Sequence, residues 1–194
     1  MQFTLTLPAW APTALAQLPT HLPALEARMT AVLDFARRNV LENTGGPFAA
    51  GVFERDSGRL LVIGVNRVTP TNCSSAHAEI MALSLAQQLL GTYDLGGPNL
   101  PAHQLVVNWR PCAMCYGALL WSGVRSLVIA GSGPELEAIT GFDEGPLHPD
   151  WAGELRRRGI EVINNVLRDE AIAGFHAFAG SGRFVYNARR TAGV

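Results

Sequence analysis

Apolar residues along this chain alternate between two periods. From Ala24 to Asn39 they recur every three or four positions (Met29, Val32, Leu33, Ala36, then Val40), the pattern of a helix with one apolar face. Ala49–Glu54 and Leu60–Val65 are short apolar runs joined around Asp56-Ser57-Gly58, which predicts a β-hairpin. Gly45-Gly46-Pro47 before them is a turn. Ala76–Leu90 returns to the helical period, with Ile80, Leu83, Leu85 and Leu89 assigned to its inner face. Strand-like runs follow at Gln104–Asn108, Ser126–Ala130 and Glu161–Val166. Between and after them come helical stretches at Cys112–Ser122, Trp151–Arg158 and Arg168–Ala179. Strands alternating with helices imply an α/β layer fold, a sheet covered by helices. The first 23 residues carry Pro8, Pro12, Pro19 and Pro23 and read as an extended arm. Residues 181–194 read as a tail without strong periodicity.

The chain has 194 residues, which argues for a single domain spanning 1–194. Hydrophobic residues make up 48% and charged residues 16%, against a usual charged share of about 25%, so a disordered chain is excluded. Fifteen basic residues against sixteen acidic leave a net charge of -1, which disfavours nucleic acid as a partner. Every basic residue is arginine. The absence of lysine removes Schiff-base chemistry and the Walker phosphate loop. No apolar run is long enough to span a membrane. The first charge is Glu26, so a secretory signal with a basic start is not expected and a cytoplasmic protein is.

Three cysteines are too few for a disulfide framework, and two of them are three residues apart. Pro111-Cys112-Ala113-Met114-Cys115 opens one helix, and His77-Ala78-Glu79 opens another. One helical turn separates Cys112 from Cys115, so both sulfurs can reach one ion, and a helix N-terminus favours thiolates. Two thiolates and the imidazole of His77 are a Zn²⁺ ligand set that leaves the fourth tetrahedral position open. A water there has its pKa lowered toward about 7 and is a nucleophile at neutral pH. Glu79, two residues past His77, is near the ion without binding it, and is the candidate proton carrier. Taken alone, Glu79 is also an ordinary acidic residue in the first turn of a helix. A closed alternative adds Cys73 to His77, Cys112 and Cys115, giving a structural zinc module without catalysis. His21, His103, His148 and His176 have no ligand-type neighbour at short spacing, and Arg156-Arg157-Arg158 and Arg189-Arg190 read as solvated.

His-x-Glu followed by Pro-Cys-x-x-Cys is the signature of the zinc deaminases. The stretch from about Gly45 to Glu144 resembles the cytidine deaminase-like superfamily, and within it guanine deaminases and tRNA adenosine deaminases. It includes Gly45-Gly46-Pro47-Phe48, Asn66, His77-Ala78-Glu79-Ile80-Met81-Ala82 and Pro111-Cys112-Ala113-Met114-Cys115. The resemblance implies a three-layer α/β/α fold with a mixed central sheet of about five strands, and a homodimer. It implies that His77, Cys112 and Cys115 bind zinc and that Glu79 shuttles the proton. By position it makes Asn66 a substrate-binding asparagine and Phe48 an aromatic packed on the base. Phe48 is equally readable as a core phenylalanine.

Gly141-Phe142-Asp143-Glu144 resembles a segment of bacterial guanine deaminases in which the second acid reaches the substrate. That makes Glu144, with Asp143 as its alternate, a second catalytic acid; without the resemblance the pair reads as a loop turn. The tail from Gly180, with Phe184, Tyr186 and Asn187, matches a segment that covers the pocket in that family. The expected reaction is hydrolytic deamination of a free purine base, guanine to xanthine and ammonia. Where the family usually has glutamate before Pro-Cys-x-x-Cys, this chain has Arg110, preceded by Trp109, a further substrate-binding candidate. That departure leaves an aminotriazine or pterin as an alternative substrate, and because the zinc motifs do not specify the base, tRNA adenosine and cytosine or a nucleotide are alternatives as well.

Overall fold

The computed structural model describes residues 4–187. Its elements run α1 (Ala11–Gln17), α2 (Leu25–Leu41), β1 (Ala49–Glu54), β2 (Leu60–Val65), α3 (Val68–Thr71), α4 (Ala78–Leu90), β3 (His103–Val107), α5 (Ala113–Trp121), β4 (Ser126–Ile129), α6 (Glu135–Thr140), α7 (Trp151–Arg157), β5 (Glu161–Ile163) and α8 (Arg168–Gly180). The five strands form one sheet in the order β2-β1-β3-β4-β5. β1 is antiparallel to both β2 and β3, whereas β3, β4 and β5 are parallel, so the sheet is mixed.

Alternation along the strands builds two separate cores. Val106 and Val128 point to one face and join Met29, Val32 and Phe35 of α2 and Phe175 of α8. Leu105, Val107 and Leu127 point to the other and join Ala78, Ala82 and Ala86 of α4, Leu119 of α5 and Leu155 of α7. The result is the expected three-layer α/β/α arrangement.

The inner face of α4 differs from the expected one. Its buried residues include Ala78, Met81, Ala82, Leu83 and Ala86, while Leu89 is 64% exposed. The reason is closeness. At Gly64 in β2 an added Cβ would lie 2.5 Å from the Ala82 nitrogen and 2.7 Å from the Ala78 carbonyl oxygen. Backbone meets backbone there, and only small side chains fit the seam.

The N-terminal stretch is not extended throughout. α1 forms within it because Pro12 occupies the first helical turn, where the missing N–H costs nothing. Ala11 and Ala14 are buried, and Trp10 packs on Phe35 with ring centres 5.3 Å apart. The short α3 and α6 are further unexpected helices, α6 being six residues long and ended by Gly141 at φ 77°. β5 ends at Ile163, three residues short of the expected limit. Arg157 and Arg158 are exposed and pair with Glu154, as a solvated face should; Arg189 and Arg190 lie outside the described residues. No helix among the described residues is long and apolar enough to cross a membrane.

Candidate active site

Two helix starts and one strand end build the site. His77 is the residue before α4 and Cys112 the residue before α5, both in extended conformation, while Cys115 lies in the first turn of α5. The ligand atoms of His77, Cys112 and Cys115 all lie within 4.8 Å of one another, and Cys112 Sγ is 3.5 Å from His77 Nδ1. Among the described residues this is the one group of three or more potential ligands gathered this tightly. Cys73 is outside it: its thiol lies 3.2 Å from the Ser75 hydroxyl. The closed four-ligand arrangement is therefore not formed.

The groups of the cluster shift one another's protonation. The Cys112 thiol is pulled down to about 4, first by its hydrogen bond with Cys115 and then by the His77 ring. Cys115 is held well above its ordinary value by its link to Cys112 and by burial. Burial opposes charge on His77, but the Cys112 partner and the nearby acids outweigh it and raise its pKa. Burial also raises Glu79, helped by the charge on Cys112. Glu144 is pushed up to about 8, by burial first and then by the charges of Cys112 and Glu79. Two thiols, an imidazole and two acids behind little solvent fit a dication, and a Cys₂His donor set fits Zn²⁺ with one position open.

A cavity of about 340 Å³ opens on this cluster. His77, Glu79, Cys112, Phe48, Asn66, Trp109, Asp143 and Glu144 all line it, so of the residues assigned to the open zinc site, catalysis and substrate binding only Cys115 lies behind its wall. Glu79 is buried in the first turn of α4. The Asn66 side-chain oxygen accepts from the Val68 N–H at 3.3 Å, and its amide nitrogen has no protein partner among the described residues. Phe48 packs edge-on to Phe142, with ring centres 5.1 Å apart. Trp109 offers only an apolar wall, because its indole N–H is engaged by the Gly133 carbonyl at 3.2 Å. Tyr186 and Asn187 of the tail line the cavity, while Phe184 is largely exposed.

Two residues that place this wall, Asn39 and Asn108, were not singled out in the sequence. Asn39 Nδ2 donates to the Gly46 and Asn66 carbonyls, each at 2.9 Å. Gly45 makes that approach possible, since a Cβ there would lie 1.8 Å from the Asn66 carbonyl oxygen. Asn108 accepts from the Ala49 N–H and donates to the Pro47 carbonyl, fixing the residues on either side of Phe48. Asn187 Oδ1 accepts from the Asp143 N–H at 2.7 Å while its Nδ2 donates to the Gly141 carbonyl at 2.8 Å, so the tail is tied to the loop bearing Glu144. The only sequence signal at Asn39 and Asn108 is the residue type.

Known proteins are similar to this chain. The family model for the cytidine and deoxycytidylate deaminase zinc-binding region matches residues 23–131. A solved guanine deaminase from Nitrosomonas europaea is 50% identical, covers 92% of this chain and 97% of its own, and superposes with a TM-score of 0.87. A solved chain in complex with 2,6-diaminopurine is 51% identical, over 96% of this chain and 97% of that one, with a TM-score of 0.88. A guanine deaminase from Bacillus subtilis is 30% identical over 79% of this chain and 92% of its own length. The chain belongs to the cytidine and deoxycytidylate deaminase zinc-binding family.

Proposed function

We propose that the protein hydrolyses the exocyclic amine of a free purine base, converting guanine to xanthine and ammonia. The observation that carries this reading is the convergence of His77, Cys112 and Cys115 on a cavity that also holds Glu79. The substrate follows from the relatives: a chain half identical over nearly its whole length is a guanine deaminase, and another such chain was solved with a diaminopurine. A cavity of about 340 Å³ falls at the small end of ligand sites, suited to a bare base.

His77, Cys112 and Cys115 would hold Zn²⁺, which when bound makes water nucleophilic at neutral pH. Glu79 takes the proton that the water gives up and hands it to ring nitrogen N3, which makes C2 more electrophilic. The water oxygen bonds to C2; its remaining O–H proton then passes by way of Glu79 to the amine as the C2–amine bond breaks, so ammonia leaves and the C2–oxygen bond becomes a carbonyl. Glu144 sits on the ring edge and assists that departure. Phe48 stacks on the base between the walls made by Trp109 and Phe142. The free amide nitrogen of Asn66 donates to an acceptor on the ring. A second copy of the chain belongs to the same reading: Tyr93 and Trp121 are each 87% exposed, large apolar side chains that a partner would cover.

The test is ammonia release by zinc-replete protein given guanine, with adenine, cytosine and cytidine beside it. Guanine is expected to turn over, and Glu79→Gln to lose about 10²–10⁴ in rate while keeping its zinc. Turnover confined to another base would keep the chemistry and overturn the substrate. Ammonia from none of them, with zinc bound, would overturn the enzyme reading.

A further inference from the structure

The cavity is poor in positive charge. Glu79, Asp143 and Glu144 line it beside the thiol of Cys112, and Arg110 is the one arginine among its described lining residues. The Arg110 side chain is only 12% exposed, and its Nη2 donates to Glu137 Oε1 at 3.1 Å. Its backbone is fixed as well, with the Arg110 N–H on the Gly131 carbonyl at 2.8 Å. Two residues later comes Cys112.

Glu137 lies in the middle of α6. α6 ends at Gly141, and the chain passes directly into Phe142-Asp143-Glu144. Downstream, the Glu144 carbonyl accepts from the Ala113 N–H at 3.0 Å. The loop that carries Glu144 is therefore bracketed. One tie, Arg110–Glu137, joins the segment before Cys112 to the helix upstream of the loop. The other, Ala113–Glu144, joins the start of α5 to the loop itself.

The pair is a poor device for stability alone. Arg110 Nε and Glu137 Oε2 are both buried without a partner, so the two side chains share one contact where a fork-on-carboxylate pair would make two. A half-satisfied, partly buried pair returns little against what its desolvation costs, and neutral replacements of similar size are often tolerated. What the pair does supply is a fixed distance between α6 and the metal-ligand segment.

We infer that Arg110 is a positioning residue for Glu144, acting through Glu137 to set where the Glu144 carboxyl stands over the cavity. The inference rests on the reading of Glu144 as the acid that faces the base. Loss of Arg110 lets α6 drift from the Cys112 segment and leaves the Glu137 carboxylate unpaired close to Glu144. Misplacement of a reacting group by about 1 Å is enough to cost on the order of 10²-fold in rate.

The experiment compares zinc-replete wild type with Arg110→Gln, Arg110→Lys, Glu137→Gln and the Arg110→Gln/Glu137→Gln double variant. With guanine, each Gln variant is expected to lose about 10- to 100-fold in kcat, with Arg110→Lys retaining more. The double variant is expected to be no worse than either single one, because both changes break the same link. Zinc content and melting temperature are expected to stay near wild type, which separates positioning from general loss of structure. A readout without substrate runs alongside: amide hydrogen exchange at Ala113, Asp143 and Gly145, whose N–H groups bond to Glu144, Asn187 and Asp143 respectively. In Arg110→Gln these amides are expected to exchange several-fold faster while those of β3 and α4 do not change. Wild-type kcat in Arg110→Gln would overturn the inference. Wild-type protein inert toward guanine would count against the substrate reading alone, and unchanged exchange at these three amides would then overturn the positioning role separately.

Discussion

Cys73 and Cys112 are the same side chain put to different uses by their surroundings. Cys73 sits in the loop before α4, its thiol beside the Ser75 hydroxyl and the Ser75 and Ala76 backbone, whereas Cys112 faces His77 and Cys115 at the start of a helix. Cys73→Ser is expected to leave both bound zinc and turnover within about 2-fold of wild type, as for a surface change. Cys112→Ser is expected to lose the metal and all ammonia release, read by metal analysis of the purified variants. Residues of this kind were legible in the sequence because their spacing is their chemistry: two ligands one turn apart, a third and an acid at the next helix. Asn39 and Asn108 were not, and Asn187 was legible only as part of a tail that the resemblance laid over the pocket. Each works by bonding backbone groups, 7, 59 and 44 residues away in the clearest cases, and no local pattern encodes which backbone will arrive there. Trp109 shows a partial version of the same limit. Its place in the wall follows from its neighbour Cys112, but that its N–H would be taken up by Gly133 depends on a loop beyond β4.

The hairpin of β1 and β2 was legible at the level of the element to its last residue, since alternation and a turn signal agree there. α1 was not, because four prolines in 23 residues look like a veto on helix. The veto applies to helix interiors, and Pro12 stands in the first turn. α4 is the more instructive case. Its leucines suggested one inner face, but its approach to the sheet is set by alanines lying on Gly64. This predicts that Gly64→Ala, a change of one methyl group, is costly. Overpacking of this kind usually costs about 1–3 kcal/mol. Because α4 carries His77 and Glu79 at its start, the variant is also expected to bind zinc more weakly than its loss in melting temperature alone would suggest. Thermal melts with and without added zinc check both parts, and an unchanged melt would show that the helix can step back freely.

Across the whole molecule, the layer order was legible because helices and strands alternate and because strand residues divide cleanly between two faces. The strand order was not, since β1 pairs with β3 although β2, α3 and α4 lie between them in the chain. One buried side chain ties these distant parts together. Arg28 of α2 donates to the Leu22 and Pro23 carbonyls, to the Arg55 carbonyl and to Gln104 Oε1 on β3, at 2.7 to 3.1 Å. Burial lowers its pKa, against the charge of Asp56, and its four acceptors make that burial tolerable. The segment it grips does something further. β2 is an edge strand, and the start of that edge is met by the N-terminal segment: the Leu60 N–H bonds the Thr20 carbonyl and the Leu22 N–H bonds the Gly58 carbonyl, both at 2.9 Å. The opposite edge, β5, is only three residues long. Open strand edges are templates for the edges of other chains. The N-terminal segment therefore acts as a guard on solubility as much as a brace on the core. A chain shortened to begin at Ala24 should form oligomers of growing size under light scattering, in conditions where the full chain keeps a constant mass.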